Sequence, residues 1–344
     1  MRELLLNAVD DLPAEVAAIV RDVGMSGVVR IDLDGRPAVE LAVGFAHRGL
    51  GIANTAQMQF GTASGAKSFT ALTVMTMVER GELSLGTTAR SLLGDDLPLI
   101  DGRVTVEHLL RHRSGIGDYF DEEAFTDPLD YPMPIPVHRL ATTEDFLQVL
   151  DGHPMVSVPG ERFTYNNGAY VVLALLAERA AGRSFHDLVH DRVCVPAGMT
   201  DTAFLRSDEL PGTAALGYLE ADGLRTNVLH LPVRGSGDGG VYTTAADIHT
   251  LWDALFDGRV VSPATLATMT RAPADVPAGE APYGLGFWLD GSSPAVSMHG
   301  FDAGIGFVST RDPGGRYAVT VLCNQTRGAW PTSERLLELV TARS

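Results

Sequence analysis

The 344-residue chain is short of positive charge: 26 Lys plus Arg stand against 43 Asp plus Glu, a formal net charge of −17. That balance argues against nucleic acid or an anionic membrane as partner, because both are polyanions. Cysteine is scarce as well. Cys194 and Cys323 alone can build neither a disulfide framework nor a cysteine-rich zinc site. Long apolar runs are missing, the longest being Ala169 to Ala177, far too short to span a bilayer. The segment Met1 to Asn7 has no apolar stretch of signal-peptide length, so a cytoplasmic protein is expected. No G-x-S-x-G occurs, which leaves the nucleophile elbow of an α/β-hydrolase unsupported. The sharpest deficit is lysine. Of the 26 basic residues 25 are Arg, and the one Lys is Lys67. Arginine keeps its proton in a protein, whereas a desolvated lysine can release one. A sole lysine is either a chance survivor or the residue that handles a proton.

What is present has the composition of a soluble globular protein, with 45% apolar and 20% charged residues. Pro13 opens a helix over 13–23. Residues 28–34 alternate apolar and polar, Asp34-Gly35 turns the chain, and 38–45 return as the second strand of a hairpin. A long apolar helix is expected over 64–80, stopped by Gly81. Residues 82–200 read as mostly helical, with segments near 105–112, 143–150, 168–181 and 184–193. Asp222-Gly223 marks another hairpin, and helices near 244–257 and 263–271 follow. Strands are expected over 284–290, 294–300, 304–310 and 316–323, then a helix over 332–342. Strands at both ends around a helical block predict one α+β body: an antiparallel β-sheet flanked by helices, with an inserted all-α lobe. The α/β lobe would comprise about 1–81 and 201–344, the helical lobe about 82–200. A site is expected in the cleft between them.

The lone lysine sits in Phe60-Gly61-Thr62-Ala63-Ser64-Gly65-Ala66-Lys67-Ser68-Phe69. Ser64 and Lys67 are three apart at a helix start, on one face and within mutual reach. The helix N-terminus supplies free N–H groups for a developing oxyanion. A buried amine is easier to deprotonate and could take the serine proton. A rival reading is the phosphate loop G-x-x-x-x-G-K-[ST], which Gly61 to Ser68 matches except that Ala66 replaces the second glycine. That glycine lets backbone wrap a phosphate, and the polar run 54–59 is not the buried strand such a loop follows.

Ser-x-x-Lys is a signature of serine β-lactamases and penicillin-binding proteins. The chain resembles that superfamily in further motifs: Tyr165-Asn166-Asn167 like its Tyr-x-Asn, 109–115 like its Leu-Leu-x-His-x-Ser-Gly, Gly198 to Thr202 like its Gly-Met-x-x-Thr, and Gly239 to Asp247 like its Gly-Gly segment. All fall in family order, and the branch they resemble is the class C β-lactamase-like one, which also holds esterases, D-amino-acid amidases and D,D-carboxypeptidases. The resemblance implies that Ser64 is the acylated nucleophile and Lys67 its proton acceptor or the electrostatic support of one. It implies that Tyr165 shuttles the proton to the leaving group, and that Asn167 orients Lys67 and the acyl side chain. Without the resemblance, Tyr165 and Asn167 read as a packed aromatic and a helix cap.

The third family element, Lys/His-Thr/Ser/Gly-Gly on an inner strand, is altered in Ser297-Met298-His299-Gly300-Phe301. Two registers compete. Starting at His299 puts Phe301 where glycine belongs. Starting at Met298 keeps Gly300 in place, and is preferred because a side chain there would block acyl approach. Met298 then replaces the cation, His299 takes the hydroxyl position, and the Phe301 amide joins that of Ser64 as oxyanion donor. His299 either polarises substrate or fills the threonine slot. With Met298 in place of a cation, a penicillin or peptide carboxylate loses its partner, and no arginine can be placed there from the sequence. Small neutral esters or amides are therefore the expected substrates, with no metal or cofactor. A β-lactamase, a D-amino-acid peptidase, or an acylable sensor without turnover are the alternatives. The oligomeric state is not legible.

Two further signals are weighed. His186 and His190 have the His-x-x-x-His spacing of a helical zinc site, but read as a solvated helix face. The stretch 121–139, with Pro128, Pro132, Pro134 and Pro136 among Phe120, Phe125 and Tyr131, is expected to rim the cleft and set acyl preference.

Overall fold

The computed structural model describes residues 11–121, 129, 131–276 and 281–343. A helix, α1 (Leu12–Val23), leads into β1 (Gly27–Leu33) and β2 (Arg36–Val43), then two short strands, β3 (Phe45–His47) and β4 (Ile52–Ala53). β5 (Phe60–Gly61) ends where α2 (Ala66–Glu79) is about to begin. After the central block come β6 (Tyr242–Thr243), β7 (Trp288–Leu289), β8 (Val296–Asp302), β9 (Ile305–Arg311) and β10 (Tyr317–Cys323). One six-stranded antiparallel sheet results, in the order β2-β1-β10-β9-β8-β7. The middle strands β9 and β10 are buried on both faces; β10 is apolar apart from Thr320 and the Tyr317 hydroxyl, while β9 ends in Ser309, Thr310 and Arg311, with Ser309 and Thr310 bonded to neighbouring side chains.

Helices cover the sheet. α1 and a last helix over Ala329–Thr341 bury Leu12, Val16, Leu336 and Val340 against Val29, Ile31, Val319 and Val321. On the other side lies α2, buried from Ala66 to Met77 all the way round. Over that stretch its polar residues are short except for Lys67, and Thr70 and Thr73 return their hydroxyls to backbone carbonyls, so the helix can lie in the middle of the protein. It packs against α3 (Asn167–Ala181), buried from Asn167 to Ala177, and both share one core with the helix Ala245–Phe256. Among the described residues, no helix is long and apolar enough to cross a membrane.

Several expectations change in detail. The single helix expected over 184–193 is α-helical only over Phe185–Val189, then widens to a π-turn over His190–Cys194. Such a turn rotates the following residues off the original face. His186, which precedes that turn, is not on a solvated face: its Nε2 lies 2.8 Å from the Gly235 carbonyl and its ring packs on Phe204, while His190 is exposed and turns to Asp191. Burial pushes His186 down to about 4. The strand expected over 284–290 shrinks to Trp288–Leu289, and the hairpin at Asp222-Gly223 to one bridge between Tyr218 and Thr226. The last helix begins three residues before the expected start. Much of the block between α2 and α3 is irregular rather than helical, including 111–121 and 151–166.

Candidate active site

The nucleophile segment is a tight turn clamped on three sides. Thr62 bonds the Val241 carbonyl through both its N–H, at 2.9 Å, and its hydroxyl, at 3.0 Å. The Gly65 N–H returns to Thr62 O at 2.9 Å, closing a 3-10 turn over Ala63–Gly65 that runs into α2. Ala63 holds φ at +45°, a left-handed value that costs a residue with a Cβ about 1 kcal/mol or more. Ser64 is thus aimed by a turn that its neighbours over-determine.

β8 lies against this turn. A Cβ on Gly300 would come within 1.8 Å of Thr62 O and 2.8 Å of Gly65 N. Only glycine lets the strand approach so closely. This supports the register that keeps Gly300 in the glycine position, but for a different reason from the expected one: the clash is with the nucleophile turn, not with the acyl group. β7 pairs with β8 only at Val296 and Ser297, so the edge of β8 beyond Ser297 is left to face the cleft. Along β8 burial alternates. Met298 is 1% exposed, belongs to the main core and lines neither cavity beside Ser64, which corrects its expected place among the substrate-contacting residues. His299, Gly300 and Phe301 do line the cleft.

Lys67 is 2% exposed. Its ammonium nitrogen donates to Ser64 Oγ at 2.9 Å, Asn167 Oδ1 at 2.7 Å and the Asp238 carbonyl at 2.9 Å. Three acceptors match its three donors. Its Nζ also stands 5.0 Å from the centre of the Tyr165 ring. Tyr165 is layered between His112, centroids 4.4 Å apart, and Trp288, 6.1 Å apart and 17° from parallel. Asn167 begins α3, but the cap is its neighbour: Asn166 Oδ1 accepts from Ala169 N at 2.6 Å. Asn167 accepts from Lys67 on Oδ1 and donates Nδ2 to the Phe120 carbonyl at 2.9 Å.

Around these groups lies a layer that the sequence did not single out. Asp118 accepts from the amides of Asn167 at 2.6 Å, Gly168 at 2.9 Å and Phe120 at 3.2 Å, and burial raises its carboxyl to about 6. Asp238, whose carbonyl holds Lys67, takes the Tyr119 hydroxyl on its carboxylate at 2.6 Å. Burial first, and then Asp238, hold Tyr119 well above the ordinary phenol range, so it stays a donor. Asp238 reaches the site because Gly237 threads between helices, where a Cβ would meet the Tyr170 carbonyl at 2.0 Å. His112 is fully buried, accepts the Asn166 N–H on Nδ1 at 3.0 Å, and is held neutral by burial and by the Lys67 charge. Gly115-Ile116-Gly117-Asp118-Tyr119 and the glycine-rich run 235–240 were the available signals, but neither discloses its partners.

Ser64 sits between two cavities. One, of about 70 Å³, is lined by Phe120, Met133, Leu205, Leu231, Val233 and Tyr242 among others, with Asn167, Asp238 and Asp302 at its polar side. The other, of about 570 Å³, is wider and holds Tyr165, Trp288, His299, Phe301, Trp330 and Arg162. Arg162 is the arginine that the sequence reading could not place. Burial pushes His299 down to about 4, leaving it uncharged at neutral pH. From the proline-rich stretch, Phe120 and Met133 reach the smaller cavity and Tyr131 packs on Phe120 at 4.2 Å. Phe125 and Pro128 lie outside the described residues.

A family model described as Beta-lactamase matches residues 13–341. A penicillin-binding protein from Bacillus halodurans, known as a crystal structure, superposes with a TM-score of 0.87 at 34% identity, covering 94% of this chain and 99% of that one. The putative penicillin-binding protein PbpX of Bacillus subtilis is 24% identical over 91% of this chain and 74% of its own length. The esterase EstB of Burkholderia gladioli is 30% identical over 67% of this chain, which spans 65% of that protein.

Proposed function

The chain belongs to the Beta-lactamase family, and from that membership we propose that it is a serine hydrolase acting through an acyl-enzyme on small neutral esters or amides. One observation carries the reading. The only lysine of the chain is buried at hydrogen-bond distance, 2.9 Å, from Ser64 Oγ, at the junction of two cavities. Serine is a weak nucleophile until a base takes its proton. Lys67 is placed for that step once its ammonium has given up one proton, and Asn167 and the Asp238 carbonyl hold it there through the two hydrogens that remain. The Ser64 amide and the Phe301 amide on the free edge of β8 would share the oxyanion. Tyr165, over Lys67, would give its hydroxyl proton to the departing group, take the replacement from Lys67, and later activate water.

The small cavity suits the acyl part. At about 70 Å³ it offers room for roughly two water-sized groups, a chain of a few carbons. The wide one is left for the leaving group, since Tyr165 lines it and does not line the other. Met298 supplies no charge to the cleft and His299 is neutral, which favours uncharged substrates.

Arg162 favours a second reading. A guanidinium in the wide cavity could hold the carboxylate of a penicillin or a peptide C-terminus, in keeping with the penicillin-binding relatives. The two are separated by initial rates on p-nitrophenyl butyrate, D-phenylalanine amide and benzylpenicillin, with fluorophosphonate labelling of wild type and Ser64→Ala. The first reading expects labelling that Ser64→Ala abolishes, and ester turnover faster than penicillin turnover at matched concentrations. Faster benzylpenicillin hydrolysis reverses it. Labelling without turnover of any substrate points to an acylable sensor.

A further inference from the structure

Five rings stand side by side along one wall of the wide cavity. Tyr165 stacks on Trp288 at 6.1 Å, and Trp288 stacks on His299 at 5.8 Å and 18°. His299 meets Trp330 edge-on at 5.9 Å, and Trp330 meets Phe301 edge-on at 5.8 Å. All five are partly exposed, and Phe301 is 42% exposed, unusual for a phenylalanine inside a cleft. They come from three separate parts of the chain: the approach to α3, the β7–β8 hairpin, and the start of the last helix. The charged members of the lining come from elsewhere, Asp118 and Asp121 from one segment and Arg162 from another. The same cavity includes Ser64, so whatever leaves the acyl group departs along this wall.

We propose that this aromatic wall is a recognition site for a flat aromatic leaving group, so that the preferred substrates are short-chain acyl esters or amides of aryl-bearing alcohols or amines. The inference rests on the acyl-enzyme reading above. Rings favour edge-on or offset contact with a flat π-system, and a puckered saturated ring of equal size cannot match it. Trp330 and Phe301 already meet edge-on, and both line the cavity. Trp330 is the specificity residue, because it lines the cavity and belongs to none of the groups that hold Ser64 or Lys67.

The test compares three butyrate esters of similar intrinsic reactivity: benzyl, cyclohexylmethyl and ethyl. Ethyl butyrate is too short to reach the wall and reports on the chemistry alone. Wild type is expected to favour benzyl over cyclohexylmethyl butyrate by about tenfold in kcat/KM, the size of one aromatic contact. Trp330→Ala is expected to bring that ratio near one through KM, with a smaller loss on ethyl butyrate than on benzyl butyrate. A wild-type ratio near one overturns the inference, and so does an equal loss on all three esters in a folded variant. If the variant does not fold, inhibition of wild type decides: benzyl alcohol should inhibit about tenfold more tightly than cyclohexylmethanol, and equal inhibition overturns the inference. No turnover of ethyl butyrate by wild type would instead strike the underlying reading.

Discussion

Lys67→Arg keeps the positive charge of the buried cation and removes its proton chemistry. The ammonium group is 2.9 Å from Ser64 Oγ, so in the wild type a proton can pass between them without movement of either heavy atom. A guanidinium does not accept that proton at any accessible pH. General-base assistance of this kind contributes about 10²- to 10⁴-fold, and kcat/KM on p-nitrophenyl butyrate should fall by about that factor. Geometry adds to the loss. Nζ is enclosed by Ser64, Asn167 and the Asp238 carbonyl at 2.7–2.9 Å, in a site 2% exposed. The larger planar head must push one of them aside, an overpacking cost of about 1–3 kcal/mol. The assay pairs steady-state kinetics with the fluorophosphonate labelling rate and a thermal melt. A folded Lys67→Arg protein within tenfold of wild type in kcat/KM would refute the reasoning, because electrostatic support alone would then suffice.

Two other consequences can be checked on the same preparations. Asp118 is raised by burial to about 6 in the folded chain from an ordinary value of 3.8, so its ionisation opposes folding: that share of stability is complete below pH 4 and lost as pH rises through 6. The ionised form is nevertheless the one that accepts three amides around Asn167, so kcat/KM should fall as pH drops through about 6. Asp118→Asn should lack that acid limb, and its stability deficit against wild type should narrow between pH 4 and 7. A pH profile unchanged by the substitution contradicts the positioning role. Gly300→Ala would place a methyl 1.8 Å from Thr62 O, so β8 must move off the nucleophile turn. We expect several kcal/mol of destabilisation and loss of labelling. The control is Gly102→Ala, where a Cβ meets nothing within 4 Å; equal melting of the two variants would be evidence against the close approach.

The sequence by itself determined that Ser64 and Lys67 stand together on one short helix turn. A single lysine three residues after a serine, in a chain that otherwise uses arginine, is a local fact, and local spacing is enough to place two side chains on one face. The hairpin 27–43, the buried α2 and the strands 305–311 and 317–323 were legible for a similar reason: each is a run whose apolar residues match its burial. What pattern could not supply was anything that depends on which distant segments meet. Burial alternation along β8 turned Met298 into the core, the Gly235 carbonyl and the Phe204 ring took His186 off the solvated face, and Asp118, Asp238, Trp288 and Arg162 entered the site from segments 51 to 224 residues away from Ser64 or Lys67 in the chain. Loop geometry and strand register decide those encounters, and both are set by the packing of the whole molecule rather than by any window of its sequence.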